Sequence, residues 1–183
     1  IPSHEGAQKF LKYVNLPIAA PSANVSKHVS PTSADHVYAD LNGRIELILD
    51  GGKCSGGIES TVLDCTGKVP VILRSGLVTR EMIAKVAGDC EEYVYRDGGK
   101  ALSPGMKYKH YSPKCRTKLF ASNELSKAME YYGEQIKKGV RAVIMCDSLT
   151  AVKVAGNVLD LGCTGAEIAA NLYGKLREGE EIA

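Results

Sequence analysis

Val140 to Leu161 reads VRAVIMCDSLTAVKVAGNVLDL, and the order of its parts decides the fold class. An apolar run, Val140 to Cys146, stops at Asp147-Ser148. A short helical stretch follows from Leu149 to Ala155, then Gly156, then a second apolar run from Asn157 to Leu161. Apolar runs on either side of a helix make a parallel strand-helix-strand unit. Outward on one side, the turn Gly162-Cys163-Thr164-Gly165 opens a helix to Arg177, the safer reading of a turn that otherwise has the look of a ligand loop. Outward on the other side, Gly139 stops a helix that Ser122 caps and whose inward face is Leu125, Ala128, Met129, Tyr132 and Ile136. Lys118 to Ala121 supplies a strand before it. The alternation predicts a small parallel sheet with helices on its faces over residues 118–183.

From about Asp97 to Pro113 the texture changes to Gly98, Gly99, Pro104, Gly105 and Pro113 with little apolar periodicity, which marks a linker. Before it the pattern is different. Ala7, Phe10, Leu11 and Val14 recur at helical spacing, as do Ala34, Val37, Tyr38 and Leu41, the second set capped by Thr32 with Asp35 in the first turn. Strands are predicted at Pro17–Ala20, Ile45–Leu49, Thr61–Cys65 and Val69–Arg74, the last two joined as a hairpin by Thr66-Gly67-Lys68. Thr79 starts another helix, with Met82, Ile83 and Val86 as its apolar side and Gly88 as its stop. The periods of the two halves do not match, so there is no internal repeat.

The 183 residues hold 44% hydrophobic and 24% charged side chains, which excludes disorder and coiled coil. The formal net charge is +2, too small for the whole surface to attract nucleic acid. Its distribution is uneven, since residues 105–118 carry five basic side chains and no acidic one. No apolar run approaches the roughly 20 residues that cross a bilayer, so a cytoplasmic protein without a membrane partner is expected. The six cysteines show no CxxC spacing, so neither a zinc site nor a redox pair is signalled, and reduced thiols are expected.

Four stretches could carry chemistry. Pro21-Ser22-Ala23-Asn24, with Ser26 and Ser30-Pro31-Thr32, gathers short polar side chains that suit an anion, although spacing alone favours turn formers and helix caps. Asp50-Gly51-Gly52 and Gly56-Gly57-Ile58-Glu59-Ser60-Thr61 suit a small polar substrate or a plain flexible loop, and match neither a Walker A motif nor a dinucleotide fingerprint. Arg74 closes an apolar strand before Ser75-Gly76, where a guanidinium can grip phosphate or equally make a surface ion pair. Glu59 and Asp64 are left as solvated or capping carboxylates. Pro104 to Pro113, PGMKYKHYSP, is a basic aromatic ribbon suited to lying over a nucleotide, against the alternatives of a spacer or an RNA contact.

Taken in order, Pro2-x-His4, PIAAPSAN (17–24), SPT (30–32), Gly43-Arg44 with ILDGG (48–52), GIESTVLD (57–64), ILR-x-G (72–76) with Thr79-x-Glu81, and PGMKYKHYSP (104–113) resemble the threonylcarbamoyl-AMP synthase family in its two-domain form. The match is dense over residues 1 to 115 and mainly one of pattern over 118 to 183. The resemblance implies the C-terminal half of a YrdC-like catalytic domain at 1–103, a basic aromatic linker at 104–117, and a truncated Rossmann-like domain at 118–183. The fold class expected is α/β: a partial YrdC-like twisted sheet with helices, then a small Rossmann-like parallel domain.

Such enzymes join L-threonine, bicarbonate or CO2, and ATP with magnesium held through its phosphates, and release pyrophosphate. The threonylcarbamoyl group then passes, through a downstream tRNA-modifying transferase complex, to tRNA. Carried over by motif, the resemblance makes Ser22, Asn24, Ser30 and Arg74 ATP contacts, with Tyr111 and His110 closing over the nucleotide. Ala20 and Ser60 become L-threonine contacts, no protein ligand to a metal is implied, and no catalytic residue is implied beyond those that position substrates. His4 is expected to do no more than cap or orient its helix. Two positions depart from the family's pattern: Lys27 stands where glycine is usual, and Ser75 where proline is usual. The family's N-terminal half is not matched, so the chain is expected to be a fragment, inactive alone. The rival expectation is a non-catalytic RNA-binding module of the same fold.

Overall fold

The structure, a computed structural model, describes residues 2–94 and 113–183. Along them run α1 (Glu5–Val14), α2 (Ala34–Leu41), β1 (Val62–Asp64), β2 (Val71–Arg74), α3 (Arg80–Ala87) and β3 (Glu91–Glu92). From residue 113 onward come a 3-10 turn (Ser122–Glu124), α4 (Leu125–Lys137), β4 (Ile144–Cys146), α5 (Ser148–Ala151), β5 (Val158–Asp160) and α6 (Gly165–Ile182). The mixed α/β class expected from the sequence is the one observed.

β1 and β2 form the expected hairpin, antiparallel, with Leu63 opposite Ile72 and Asp64 opposite Val71. β3 adds to β2 in parallel. In the second half β4 and β5 pair in parallel, Ile144 against Val158 and Cys146 against Asp160, with α5 as the crossover. Helix starts follow the chemistry of their caps. His4 Nδ1 accepts the Ala7 N–H (3.2 Å), Thr79 accepts that of Met82 (3.3 Å), and Thr164 with Glu167 makes a reciprocal capping box.

Several expectations need correction. Pro17–Ala20, Ile45–Leu49 and Lys118–Ala121 are not strands. A period of two assigns side chains to faces, but a strand also needs a neighbour to take its N–H and C=O groups, and among the described residues these segments have none. Their apolar side chains stand exposed, Leu47 at 73% and Leu119 at 96%. Val86 and Met82, the expected inner side of α3, are exposed as well. The cap of α2 is Ser33 and not Thr32, because Thr32 is buried and donates its N–H to His36 Nδ1 (3.1 Å). Ser122 opens the 3-10 turn instead of capping α4, and the Glu124 carboxylate accepts the Ala121 N–H (3.2 Å).

Among the described residues the buried apolar side chains are few: Ile72 and Cys90 around the hairpin, and Val29, Leu159, Leu161 and Tyr173 around β5 and α6. α6 lies on β5, with Gly179 facing Leu159 and Val143. It also touches the first half. The Gly57 N–H donates to the Ala169 carbonyl (2.9 Å) and the Tyr173 N–H donates to the Gly57 carbonyl (3.0 Å), so the Gly57 backbone enters the helix's own ladder. A Cβ at Gly57 would collide with the Ala170 carbonyl. All six cysteines are free, and no helix among the described residues is long and apolar enough to cross a membrane.

Candidate functional site

The carboxyl end of β2 delivers Arg74 next to the segment that leads into β1. Its guanidinium donates to the Ser60 carbonyl from Nε (3.2 Å) and Nη2 (3.0 Å), and from Nη2 to Ser60 Oγ (3.3 Å). The same Nη2 lies 3.7 Å from Glu59 Oε2. Glu59 reaches on to the first segment, where Ser30 Oγ donates to its Oε1 at 2.6 Å. Ser30, Glu59, Ser60 and Arg74 are therefore one connected polar cluster. Gly76 makes the approach possible: the Leu77 N–H donates to the Glu59 carbonyl (3.2 Å), and a Cβ at Gly76 would collide with the backbone of 59–61.

The cluster brings three expected site residues together, Ser30, Ser60 and Arg74. Asn24 lies in the loop before it, its Nδ2 donating to the carbonyls of Val25 (2.9 Å) and His28 (3.2 Å) while its Oδ1 is buried without a partner. Ala20 and Ser22 are exposed on the stretch leading to Asn24, and among the described residues no hydrogen bond ties them to Arg74. His110 and Tyr111 lie outside the described residues.

Glu59, expected to be solvated or capping, is instead the bridge of the cluster. Its side chain keeps 19% of its surface, and it holds Ser30 and Arg74 at once. Asp64 does cap, its Oδ1 accepting the Thr66 N–H (2.9 Å) and hydroxyl (2.7 Å), and these two bonds hold its carboxyl below the usual range. His4 caps α1 and its ring lies against Gly51. The Gly162 to Gly165 turn is a helix start that supplies its own anion: Glu167 Oε2 accepts the N–H groups of Cys163 (2.8 Å) and Thr164 (2.9 Å), which lower its pKa.

Lys27 takes φ +73°, the left-handed region where the expected glycine would sit freely. The sequence reading also missed Arg177. This residue of α6 is buried, and its guanidinium donates to the Val29 carbonyl and to both oxygens of Asp40, one at 3.2 Å and the other at 2.7 Å. Burial raises the Asp40 pKa, but the hydrogen bonds and charge of Arg177, with the Val25 N–H and His28, outweigh it and leave the carboxyl below its usual value.

Two clefts accompany these groups. One of about 290 Å³ runs between the start of α2 and α6, lined by His36, Lys53 and Lys175 among others, and one of about 170 Å³ lies beside residues 75–81. Neither of these two clefts is lined by Ser30, Ser60 or Arg74. Among the described residues no three His, Cys, Asp or Glu side chains are grouped to hold a metal ion.

An α/β scaffold that sets a guanidinium among hydroxyls and glycine turns is of the class suited to small anionic or zwitterionic molecules. Comparison with known proteins narrows this. A family described as "Telomere recombination" matches residues 1–76, and one described as "Threonylcarbamoyl-AMP synthase, C-terminal domain" matches residues 78–183. The threonylcarbamoyl-AMP synthase of Pyrococcus abyssi is 40% identical over 182 residues, covering 97% of this chain and 53% of that protein. That of Bacillus subtilis is 37% identical over 187 residues, covering 99% and 54%. The crystal structure of P. abyssi Sua5 complexed with L-threonine superposes with a TM-score of 0.82 at 37% identity, over 100% of this chain and 55% of that one. A variant of that protein with an adjacent histidine and tyrosine replaced by alanine gives 0.81 at 35%, over 99% and 53%. The chain belongs to the threonylcarbamoyl-AMP synthase family, and it spans about half the length of the curated relatives it matches.

Proposed function

We propose that this chain contributes to the synthesis of L-threonylcarbamoyl-AMP from L-threonine, bicarbonate or CO2, and ATP, with release of pyrophosphate, for threonylcarbamoyladenosine in tRNA. The observation that carries the reading is the Ser30–Glu59–Ser60–Arg74 cluster, in a chain whose relative has been solved with L-threonine. The chemistry asks for positioning more than for a nucleophile. The threonine nitrogen adds to CO2 to give a carbamate, a carbamate oxygen attacks the α-phosphorus, and pyrophosphate leaves with the electron pair of the broken P–O bond. A fixed guanidinium that meets phosphate charge is the kind of group that lowers such a barrier.

In this reading Arg74, Ser30, Ser22 and Asn24 hold ATP. Ser60 and the Ala20 backbone take L-threonine. The chain holds an adjacent His-Tyr pair only at His110-Tyr111, the dipeptide type altered in the P. abyssi variant, and these two are assigned to ATP closure. Magnesium enters on the triphosphate as part of the substrate. The work is cytoplasmic, where ATP, threonine and tRNA meet, and the product passes to a tRNA-modifying transferase complex.

The test is pyrophosphate release by the full-length protein, with the product identified by mass. Release that requires L-threonine and bicarbonate together, and that is lost when Lys107 and Lys109 are reversed in charge, supports the enzyme reading. Release that survives the reversal while RNA retention is lost would favour a non-catalytic RNA-binding role for the ribbon, and no release at all would overturn the enzyme.

A further inference from the structure

We infer that Arg177 is a positioning residue for the nucleotide and threonine site, through which the last helix of the chain sets the geometry of loops in the first half. The inference rests on the reading of the Arg74 cluster as that site. A buried ion pair is a poor source of stability, since desolvating both charges costs about as much as their attraction returns, and apolar packing would serve as well. What a guanidinium adds is a flat set of donors with fixed directions.

At Arg177 these donors meet the loop at Val29 and helix α2 at Asp40. Nε donates to the Val29 carbonyl at 3.1 Å and Nη2 donates to it as well, while Nη1 and Nη2 reach Asp40 Oδ1 (3.2 Å) and Oδ2 (2.7 Å). Asp40 hands the constraint on. Its Oδ2 accepts the Val25 N–H (3.4 Å) and its Oδ1 lies 3.5 Å from His28 Nδ1. Residues 25–29 are thus gathered onto the pair, and the next residue is Ser30, hydrogen-bonded to Glu59. Asn24, just before the loop, is bonded to the His28 carbonyl.

The same helix grips the other approach. Gly57, two residues before Glu59, exchanges both its backbone groups with Ala169 and Tyr173 of α6. Both loops that build the cluster therefore hang on α6, and Arg177 is the side chain that directs the first of them. Arg177 is itself buried, and it lies 148 positions along the chain from Val29.

The experiment compares Arg177→Lys and Arg177→Met with the parent full-length protein, by steady-state pyrophosphate release and thermal melting. A single ammonium can keep the charge of Asp40 company but cannot also hold the Val29 carbonyl in two directions. Arg177→Lys is therefore expected to melt close to the parent while its KM for ATP rises on the order of tenfold with kcat changed little. Arg177→Met is expected to show the same KM rise with a lower melting temperature. A merely structural residue would reduce the fraction of active protein, lowering kcat and leaving KM alone. KM values within about twofold of the parent in Arg177→Lys, whatever its stability, would overturn the inference. A parent that releases no pyrophosphate would overturn the site reading with it, whereas an active parent with an unaffected Arg177→Lys overturns this inference alone.

Discussion

Arg74 and Lys27 show two ways in which one side chain bears on the site. Arg74 works through direction, since the Ser60 carbonyl and hydroxyl fix how its guanidinium is aimed at the end of β2. Lys27 works against the backbone. A side chain held at φ +73° carries about 1–2 kcal/mol of strain in the left-handed region, and glycine removes it while adding about 0.5–1 kcal/mol of unfolded-chain entropy. Lys27→Gly should therefore raise stability by up to about 1.5 kcal/mol in chemical denaturation, and a loss would show that the lysine side chain makes a contact worth more than the strain. Arg74 was legible from its place at a strand end beside a glycine turn. Glu59 was not, because its partner Ser30 lies 29 residues earlier and only the fold brings the two together.

Helix α2 carries a testable consequence of its packing. Burial first, and then the nearby charge of Arg177, holds the His36 pKa below its usual 6.5, against the opposing pull of Glu181, Asp35 and Asp40. A base whose folded pKa is lowered stays neutral in the folded state while the unfolded chain takes up a proton, so stability is full above 6.5 and falls as pH drops below it. The melting temperature should decline from about pH 7.5 to about pH 5.5, and His36→Gln should flatten that slope; an unchanged slope in the variant would contradict the assignment. The starts of α3 at Thr79 and α6 at Gly165 were readable because caps are local, whereas the cap of α2 was placed one residue early, and Met82 and Val86 of the expected inner face of α3 stand exposed. The extended segments at 17–20, 45–49 and 118–121 were misread for the opposite reason: alternation names a face, while pairing depends on a neighbour that no local pattern specifies. For α6 the start at Gly165 was legible and its other contacts were not, since Arg177 and Asp40 are 137 residues apart.

The whole molecule joins two unlike α/β halves through the last helix. The parallel pair β4–β5 and the hairpin β1–β2 were both visible in the sequence, and the motifs from Pro2 to Pro113 carried the family. The dependence of the 25–30 and 57–60 loops on α6 was not, because it is written in backbone contacts and one buried guanidinium. The central claim is that the Arg74 cluster grips the phosphates of ATP. Calorimetric titration of ATP into full-length Arg74→Ala, beside the parent, tests it most directly. Charge-assisted hydrogen bonds of this kind are worth about 1.5–3 kcal/mol, so ATP affinity should fall by about 10- to 100-fold in the variant. Arg74→Ala that binds ATP as tightly as the parent would contradict the account.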